Sequence, residues 1–433
     1  HLAKQRLKPQ YLQAREIYRK IMNATPPGRV LHRVFHRIKD AIKTSLLPCS
    51  MFEDMGFQYM GPVDGHDVKT LTRLLDYASK VNGPVLLHVK TIKGKGYPPA
   101  EKNPDAFHGI GPFHKETGAL ITSKTAETFS SRFGHDLTEL AKQDQRICAI
   151  TAAMTSGTGL AAFSKAFPDR FFDVGIAEEH AVTMAAGMAK QGLIPVFAVY
   201  STFFQRSYDM LMHDIAIDHI HAVFGIDRAG LVGDDGETHH GLFDLGFLQT
   251  IPGITVLCPA SLDELSDMLE RAVHRMDGPV AVRYPRGGEN FYSENHSDAP
   301  DYLLKDGTDL TIVTFGTLTG NCLAVADRLQ QEGISAQVLK LNQLVPLPTE
   351  LALDCLSKTK RLLVAEECIT QGSPGQGILA AAAQSGLTLE GVAVCSCGKD
   401  FVPHGTIPQL RSLCGLDIDS LYKKAKEVME HGR

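Results

Sequence analysis

The chain has 433 residues, 43% of them hydrophobic and 21% charged, ordinary values for a soluble globular protein. That length holds two or three domains, each able to bury its own core. Net charge is −5, from 44 basic against 49 acidic residues, which argues against a nucleic-acid binder, and no apolar run is long enough to cross a bilayer.

The first 48 residues stand apart, with eleven Lys and Arg against only Glu16 and Asp40. This pattern reads as a solvated, mobile segment more readily than as an anion-binding arm. The chain opens at His1 with neither an initiator methionine nor a signal-like stretch, so we expect a fragment of a longer protein. An apolar run at 85–89 follows Gly83-Pro84 and predicts a buried strand, ending in the basic, glycine-rich turn 91–97. A polar stretch bearing prolines (98–112) leads on. Strands are then predicted at 147–150, 196–200, 222–226 and 254–258, with helices at 178–191 and 205–216 between them. Such alternation argues for a mainly parallel sheet covered on both faces. A strand at 279–283 ends in a basic, glycine-rich tip. After a polar linker the pattern restarts with strands at 310–315, 337–341 and 361–366 and helices at 322–331 and 374–384. The fold class is therefore α/β, with domains at 1–122 (the remnant of an incomplete one), 123–290 and 305–433. Nine cysteines lack repeated metal-ligand spacing, and the C-x-C at Cys395 and Cys397 sits on a strand-like run. Buried thiols explain them better than disulfides or a zinc site.

The densest chemistry lies in the run from Ile226 to Gly241, IDRAGLVGDDGETHHG, directly after an apolar strand. Glycines let backbone approach a ligand, and strand ends are where α/β folds place chemistry. Arg228 offers a planar fork for phosphate or carboxylate, and Asp235 and His239 can exchange protons or bind a polar substrate. Glu178 and Glu179 open a helix of small residues, where acids suit the helix dipole for purely structural reasons. The functional alternative is a carboxylate held partly dry to handle protons. Tyr200, Phe203, Phe204 and Arg206 follow at the expected edge of the same sheet, as core or as a platform for a flat heteroaromatic ligand.

Six ordered blocks, MFEDMGFQYMGPVDGHD (51–67), KGKGYPPAEKNPDAFH (93–108), DVGIAEEHAV (173–182), YSTFFQRSYD (200–209), DRAGLVGDDGETHHG (227–241) and YPRG (284–287), resemble the transketolase group of thiamine-diphosphate enzymes. Within it they resemble the 1-deoxy-D-xylulose-5-phosphate synthase family. The resemblance implies a multi-domain transketolase-like fold and decarboxylative condensation of pyruvate with D-glyceraldehyde 3-phosphate. It implies that Glu178 pairs with the aminopyrimidine of thiamine diphosphate, that Phe203 packs on that ring with Arg206 close by, and that Lys93 helps hold the diphosphate. Tyr200, Arg228 and Arg286 would clamp the substrate phosphate, and Asp235 would bind a substrate hydroxyl. His239 would lie near the reacting carbon, and His108 would reach the cofactor. It further implies a homodimer in a bacterial cytoplasm, with no nucleic acid or membrane as partner.

One departure stands out. The family binds Mg²⁺ through Gly-Asp-Gly and a downstream asparagine, and no such segment occurs here. We therefore expect the metal ligands in an N-terminal segment outside this chain, as a separate or missing piece without which the chain is inactive. Two other readings stand beside this one: a transketolase or other thiamine enzyme with a different acceptor, and a non-catalytic remnant serving assembly or regulation. The third domain, with its 366–375 glycine loop, reads as structural.

Overall fold

The computed structural model describes residues 50–104, 106–121 and 126–430. The reading of the basic first 48 residues lies outside the described residues. The chain divides into two compact units, His1–Thr125 and Ala126–Arg433.

In the smaller unit, β1 (Gln58–Asp64) and β2 (Val85–Lys90) pair in parallel, joined by helix α1 (Val68–Ser79). A parallel pair requires such a crossover. Asp67 caps α1, its carboxylate accepting from the Thr70 N–H at 3.0 Å and the Thr70 hydroxyl at 2.7 Å. The turn after β2 is pinned where His66 Nε2 accepts from the Ile92 N–H at 2.8 Å. Beyond it the rings of Tyr97, Phe107 and Phe113 pack together with centroids 5.5 to 5.8 Å apart.

The larger unit holds two sheets. One has seven strands in the order β12-β7-β8-β6-β5-β3-β4. Its chain-order members are β3 (Ile147–Thr151), β4 (Phe171–Asp173), β5 (Ile194–Tyr200), β6 (Ala222–Asp227), β7 (Thr255–Leu257) and β8 (Pro279–Arg283). The other has the order β14-β13-β10-β11-β9. It is built from β9 (Asp301–Lys305), β10 (Leu310–Phe315), β11 (Ala336–Leu341), β13 (Arg361–Ala365) and β14 (Gly391–Cys395). All pairings are parallel except at β9 and at β12 (Gln343–Val345), which add antiparallel edges. Since β12 comes from beyond β11 yet pairs with β7, the two halves of this unit are joined through a shared sheet.

Every residue of β3, β6, β8, β10 and β11 is buried, as expected of strands covered on both faces. On one face Val196, Ala198, Val223 and Val280 meet helices α2 (Phe129–Gln143) and α4 (Leu262–His274); on the other Phe197, Val199, Phe224 and Ile226 meet α3 (Glu178–Lys190). The second sheet is flanked by α5 (Leu318–Gln331), α6 (Pro374–Gln384), α7 (Ile407–Leu413) and α8 (Ile418–Glu430). Its Val313, Phe315, Leu339 and Leu341 belong to the same core as α3. A buried ion pair links the second sheet to α4 of the first. Lys340 Nζ of β11 donates to Glu264 Oε1 of α4 at 2.6 Å, and Glu264 also accepts from the Ala260 N–H, the His296 N–H and the Tyr292 hydroxyl.

The predicted strands at 147–150, 196–200, 222–226 and 254–258 correspond to β3, β5, β6 and β7, and the helix at 178–191 to α3. The helix expected at 205–216 begins instead at Ser201, as short α, 3₁₀ and π turns running to Ala216. Buried Ser201, Phe204, Ser207, Leu211 and Ile215 recur at intervals of three, three, four and four residues. The tight first turns keep that face on the core while Phe203 is only partly buried against it and Arg206 is exposed. All eight described cysteines are free, and six are buried. No helix among the described residues is long and apolar enough to cross a membrane.

Glu366 is fully buried after β13, its Oε2 accepting from the Gly375 N–H at 3.0 Å, and burial pushes its carboxyl up from 4.5 to about 7. The folded state thus holds this proton more tightly than the unfolded chain. This group's unfavourable effect is absent below pH 4.5, grows as pH rises to about 7, and reaches roughly 3 kcal/mol. Glu366→Gln should be more stable than the parent at pH 8 and equal to it near pH 4.5. Parallel denaturation curves at both pH values would refute the linkage.

Candidate active site

The C-terminal ends of β3, β5, β6 and β8 lie side by side, with Thr151 opposite Ala198, Tyr200 opposite Asp227, and Ile226 opposite Arg283. This edge gathers most of the residues singled out from the sequence. Glu178 opens α3 and its side chain is only 2% exposed. Its Oε1 accepts from Arg206 Nη1 at 2.7 Å, while its Oε2 is buried with no hydrogen-bond partner. An unpaired carboxylate oxygen at such a place costs free energy unless a ligand meets it. The dipole reading explains why an acid is tolerated here but not why one oxygen is left over.

Arg206 lies over the Phe203 ring at 4.9 Å, and its side chain is 43% exposed. Phe203 stacks on Tyr200 with centroids 5.9 Å apart and meets His239 edge-on at 5.3 Å. His239 Nδ1 sits 2.8 Å from the Thr238 hydroxyl. Glu178, Arg206, Phe203, His239 and Tyr200 therefore form one continuous chain of contacts.

Arg228 extends the chain, its guanidinium 4.0 Å above the Tyr200 ring. Its Nη1 donates to the Gly157 carbonyl at 2.6 Å and to Asp227 Oδ1 at 2.8 Å, whereas its Nε is buried without a partner. Arg228 holds φ at +58°, a left-handed conformation that costs a residue with a Cβ roughly 1–2 kcal/mol. Strain of this kind clusters at functional sites, and here it turns the guanidinium back over Tyr200. Burial pushes the Asp227 carboxyl up, and Arg228 pulls against that shift. Burial likewise raises the Tyr200 phenol, which keeps it a hydrogen-bond donor. Gly157 is dictated by sterics: a Cβ there would sit 1.7 Å from the Tyr200 hydroxyl oxygen.

The loop from Gly230 to Gly241 is closed at its base by two reciprocal backbone hydrogen bonds, each 2.8 Å. Within it Asp235 Oδ2 pairs with Arg286 Nη1 at 2.9 Å, both partly exposed, and the same Nη1 donates to the Val232 carbonyl at 3.0 Å. Lys93 and His108 belong to the smaller unit and are both exposed, His108 following the packed Phe107.

Sequence reasoning passed over Gly157, Asp227, His240 and the pair Arg283–Asp244. Asp227 could have been flagged as an acid ending an apolar strand, and His240 as the second half of a histidine doublet. Nothing local in the sequence marks Arg283 or Asp244, which sit 39 positions apart. No group of three or more metal-ligating side chains occurs among the described residues.

Comparison with known proteins agrees with this arrangement. Residues 127–288 match the pyrimidine-binding domain of transketolase, 302–421 the transketolase C-terminal domain, and 1–91 the family 1-deoxy-D-xylulose-5-phosphate synthase. The 1-deoxy-D-xylulose-5-phosphate synthase of Heliobacterium modesticaldum is 42% identical over 444 residues, covering 100% of this chain and 68% of that protein. The synthase of Clostridium kluyveri is 43% identical over 438 residues, covering 99% of this chain and 69% of that protein. A split-gene transketolase, solved as an inactive beta4 tetramer, superposes with a TM-score of 0.64 at 26% identity, covering 71% of this chain and all of that one. Transketolase from Pichia stipitis shares the fold at 17% identity, with a TM-score of 0.58 over 71% of this chain and 46% of that one. On its motifs, its sheet-edge site and these matches, the chain belongs to the 1-deoxy-D-xylulose-5-phosphate synthase family of transketolase-like enzymes.

Proposed function

We infer that this chain, together with the N-terminal segment expected to hold the metal, carries out the thiamine-diphosphate-dependent condensation of pyruvate with D-glyceraldehyde 3-phosphate, giving 1-deoxy-D-xylulose 5-phosphate and carbon dioxide. The observation that carries the reading is the buried, unpartnered Oε2 of Glu178 beside the exposed flank of Phe203 and Arg206. A flat, protonatable ring with one nitrogen to offer fits that place, as the aminopyrimidine of the cofactor does. When bound, the cofactor supplies a thiazolium carbon that can become a nucleophile and an electron sink for decarboxylation.

The chain's own residues divide the remaining work. Glu178 holds or donates a proton at Oε2, and Arg206 keeps it oriented by occupying Oε1. Phe203 gives the ring a packing surface. His239, against Phe203, is set to exchange a proton with a substrate oxygen. Tyr200, Arg228 and Arg286 hold the substrate phosphate, with the Arg228 Nε free to donate and Arg286 exchanging Asp235 for the dianion. Asp235, released, binds a substrate hydroxyl. Lys93 and His108, from the smaller unit, are assigned to the diphosphate and the cofactor. Mg²⁺ is the metal such a diphosphate requires, and we assign it no ligand among the described residues.

We further propose the domain division 1–122, 123–290 and 305–433, and a homodimer in a bacterial cytoplasm. The bacterial relatives support the last point. Ile176, 79% exposed two residues before Glu178, supports the dimer by asking for cover.

Glu178→Gln keeps an acceptor for Arg206 but loses the proton, so turnover measured as carbon dioxide release should fall roughly 10²–10⁴-fold. Near-normal turnover would remove Glu178 from the mechanism. Arg286→Ala should raise KM for glyceraldehyde 3-phosphate about 10- to 100-fold while leaving the use of unphosphorylated glyceraldehyde unchanged. Equal losses with both aldehydes would show that Arg286 does not serve the phosphate.

A further inference from the structure

His240 is not used by the mechanism above, yet it is 97% buried between the substrate loop and the C-terminal half of the chain (3% exposed). Its Nδ1 lies 3.1 Å from the Val232 N–H, which can only donate, so Nδ1 is the acceptor. The other nitrogen must then carry the hydrogen, and it donates to the Pro403 carbonyl at 3.1 Å. Geometry alone therefore settles the tautomer. Val232 is the residue whose carbonyl receives Arg286, which also holds Asp235. Pro403 lies between β14 and α7, in a segment that lines the outside of the loop. A Cβ on Gly233 would sit 3.2 Å from the Gly405 carbonyl, one on Gly236 would sit 3.1 Å from the His404 Cβ, and Phe401 meets Phe243 at 5.9 Å.

We propose that His240 is a positioning residue for the aldehyde substrate: it bolts Val232, and through it Arg286 and Asp235, to Pro403 of the C-terminal domain. This rests on the assignment of Arg286 to the substrate phosphate. Adjacent histidines on the same loop thus have different tasks, His239 facing the aromatic cluster and His240 facing the wall. The C-terminal domain in this view sets the acceptor site rather than only supporting the fold.

The test compares His240→Gln with His240→Met in the cofactor-loaded enzyme. The two replacements have nearly the same shape and flexibility, but only the amide can accept from Val232 and donate to Pro403. The Met variant should raise KM for glyceraldehyde 3-phosphate about tenfold, with KM for pyruvate and kcat within about threefold, and the Gln variant should stay close to the parent. Hydrogen exchange of the peptide holding the Val232 amide should quicken in the Met variant and not in the Gln variant. If the Met variant does not fold, His240→Asn replaces it, its amide being too short to reach both partners. Equal behaviour of the Gln and Met variants, or equal loss for both substrates, would overturn the proposal. If Arg286→Ala leaves KM for the aldehyde phosphate unchanged, the phosphate assignment fails, and the exchange rates still decide whether His240 is the bolt.

Discussion

Arg283, the last residue of β8, is the interaction on which the site depends. Its guanidinium is fully enclosed and grips Asp244 through two bonds, Nε to Oδ2 at 2.8 Å and Nη2 to Oδ1 at 3.2 Å. The same Nη2 donates to the carbonyls of Gly241 and Glu367. Burial alone would weaken the charge, but Asp244 at this distance more than offsets it and holds the pKa above its usual value. One side chain therefore joins the strand end, the base of the Gly230–Gly241 loop and the C-terminal half. Removing either partner would leave a buried charge alone, at a cost of about 3–5 kcal/mol. Lys340 and Glu264 make a second such tie between the two halves of the unit. Glu367, whose carbonyl Arg283 holds, also packs against Gly230 at the loop's other base and receives Arg411 of α7 at 2.5 Å.

These saturated pairs give meaning to the polar atoms left without partners. Among the described residues, six of the nine buried side-chain atoms without a partner, Glu178 Oε2, Ser201 Oγ, Ser207 Oγ, Asp227 Oδ2, Arg228 Nε and the Tyr284 hydroxyl, belong to the strand ends of the first sheet or to the segments that follow them. The other three, Gln337 Oε1, Arg361 Nε and Glu366 Oε1, belong to the second sheet or directly follow its β13. A fold that satisfies charges as deep as Arg283 and Lys340 is able to satisfy such groups. Their concentration around the end of the first sheet, six of nine, is what a site arranged for something other than stability leaves behind. The left-handed Arg228 and the close approach of Tyr200 to Gly157 lie along the same edge.

Much of this was legible in the amino-acid order, for a physical reason. Fully buried parallel strands are uninterrupted apolar runs, so β3 and β6 announce themselves, and chemistry then falls at their C-terminal ends. Glu178, Tyr200, Phe203, Arg206, Arg228 and His239 were found in that way and do form one contact chain. The Arg286–Asp235 pair was not foreseen as a pair, because its members belong to different loops. The charged residues that hold the unit together were invisible. Lys340 sits in an apolar strand and looks like a surface residue until Glu264, 76 positions earlier, is placed against it. β12 was unreadable for a related cause: three residues returning to the edge of an earlier sheet carry no period. The 201–216 helix was misjudged at its start because the core contacts follow a tighter spacing than an α-helix provides.

The third domain bears on the same point. Its glycine loop at 366–375 has an ordinary structural explanation, with Ser373 capping α6, and from sequence the whole domain reads as support. Support and function separate only when the supported element is itself the site. Here the element is a twelve-residue loop whose base is closed by two backbone bonds and whose outer face rests on 399–406. Loops of this kind gain their rigidity from packing rather than from internal ladders, so the wall behind them sets their geometry. An error of about 1 Å in that wall would reach Arg286 through Val232 without touching Glu178 or Phe203. On the proposed assignments, control of the aldehyde site is therefore separable from control of the cofactor site, even though the residues of both lie on one sheet edge.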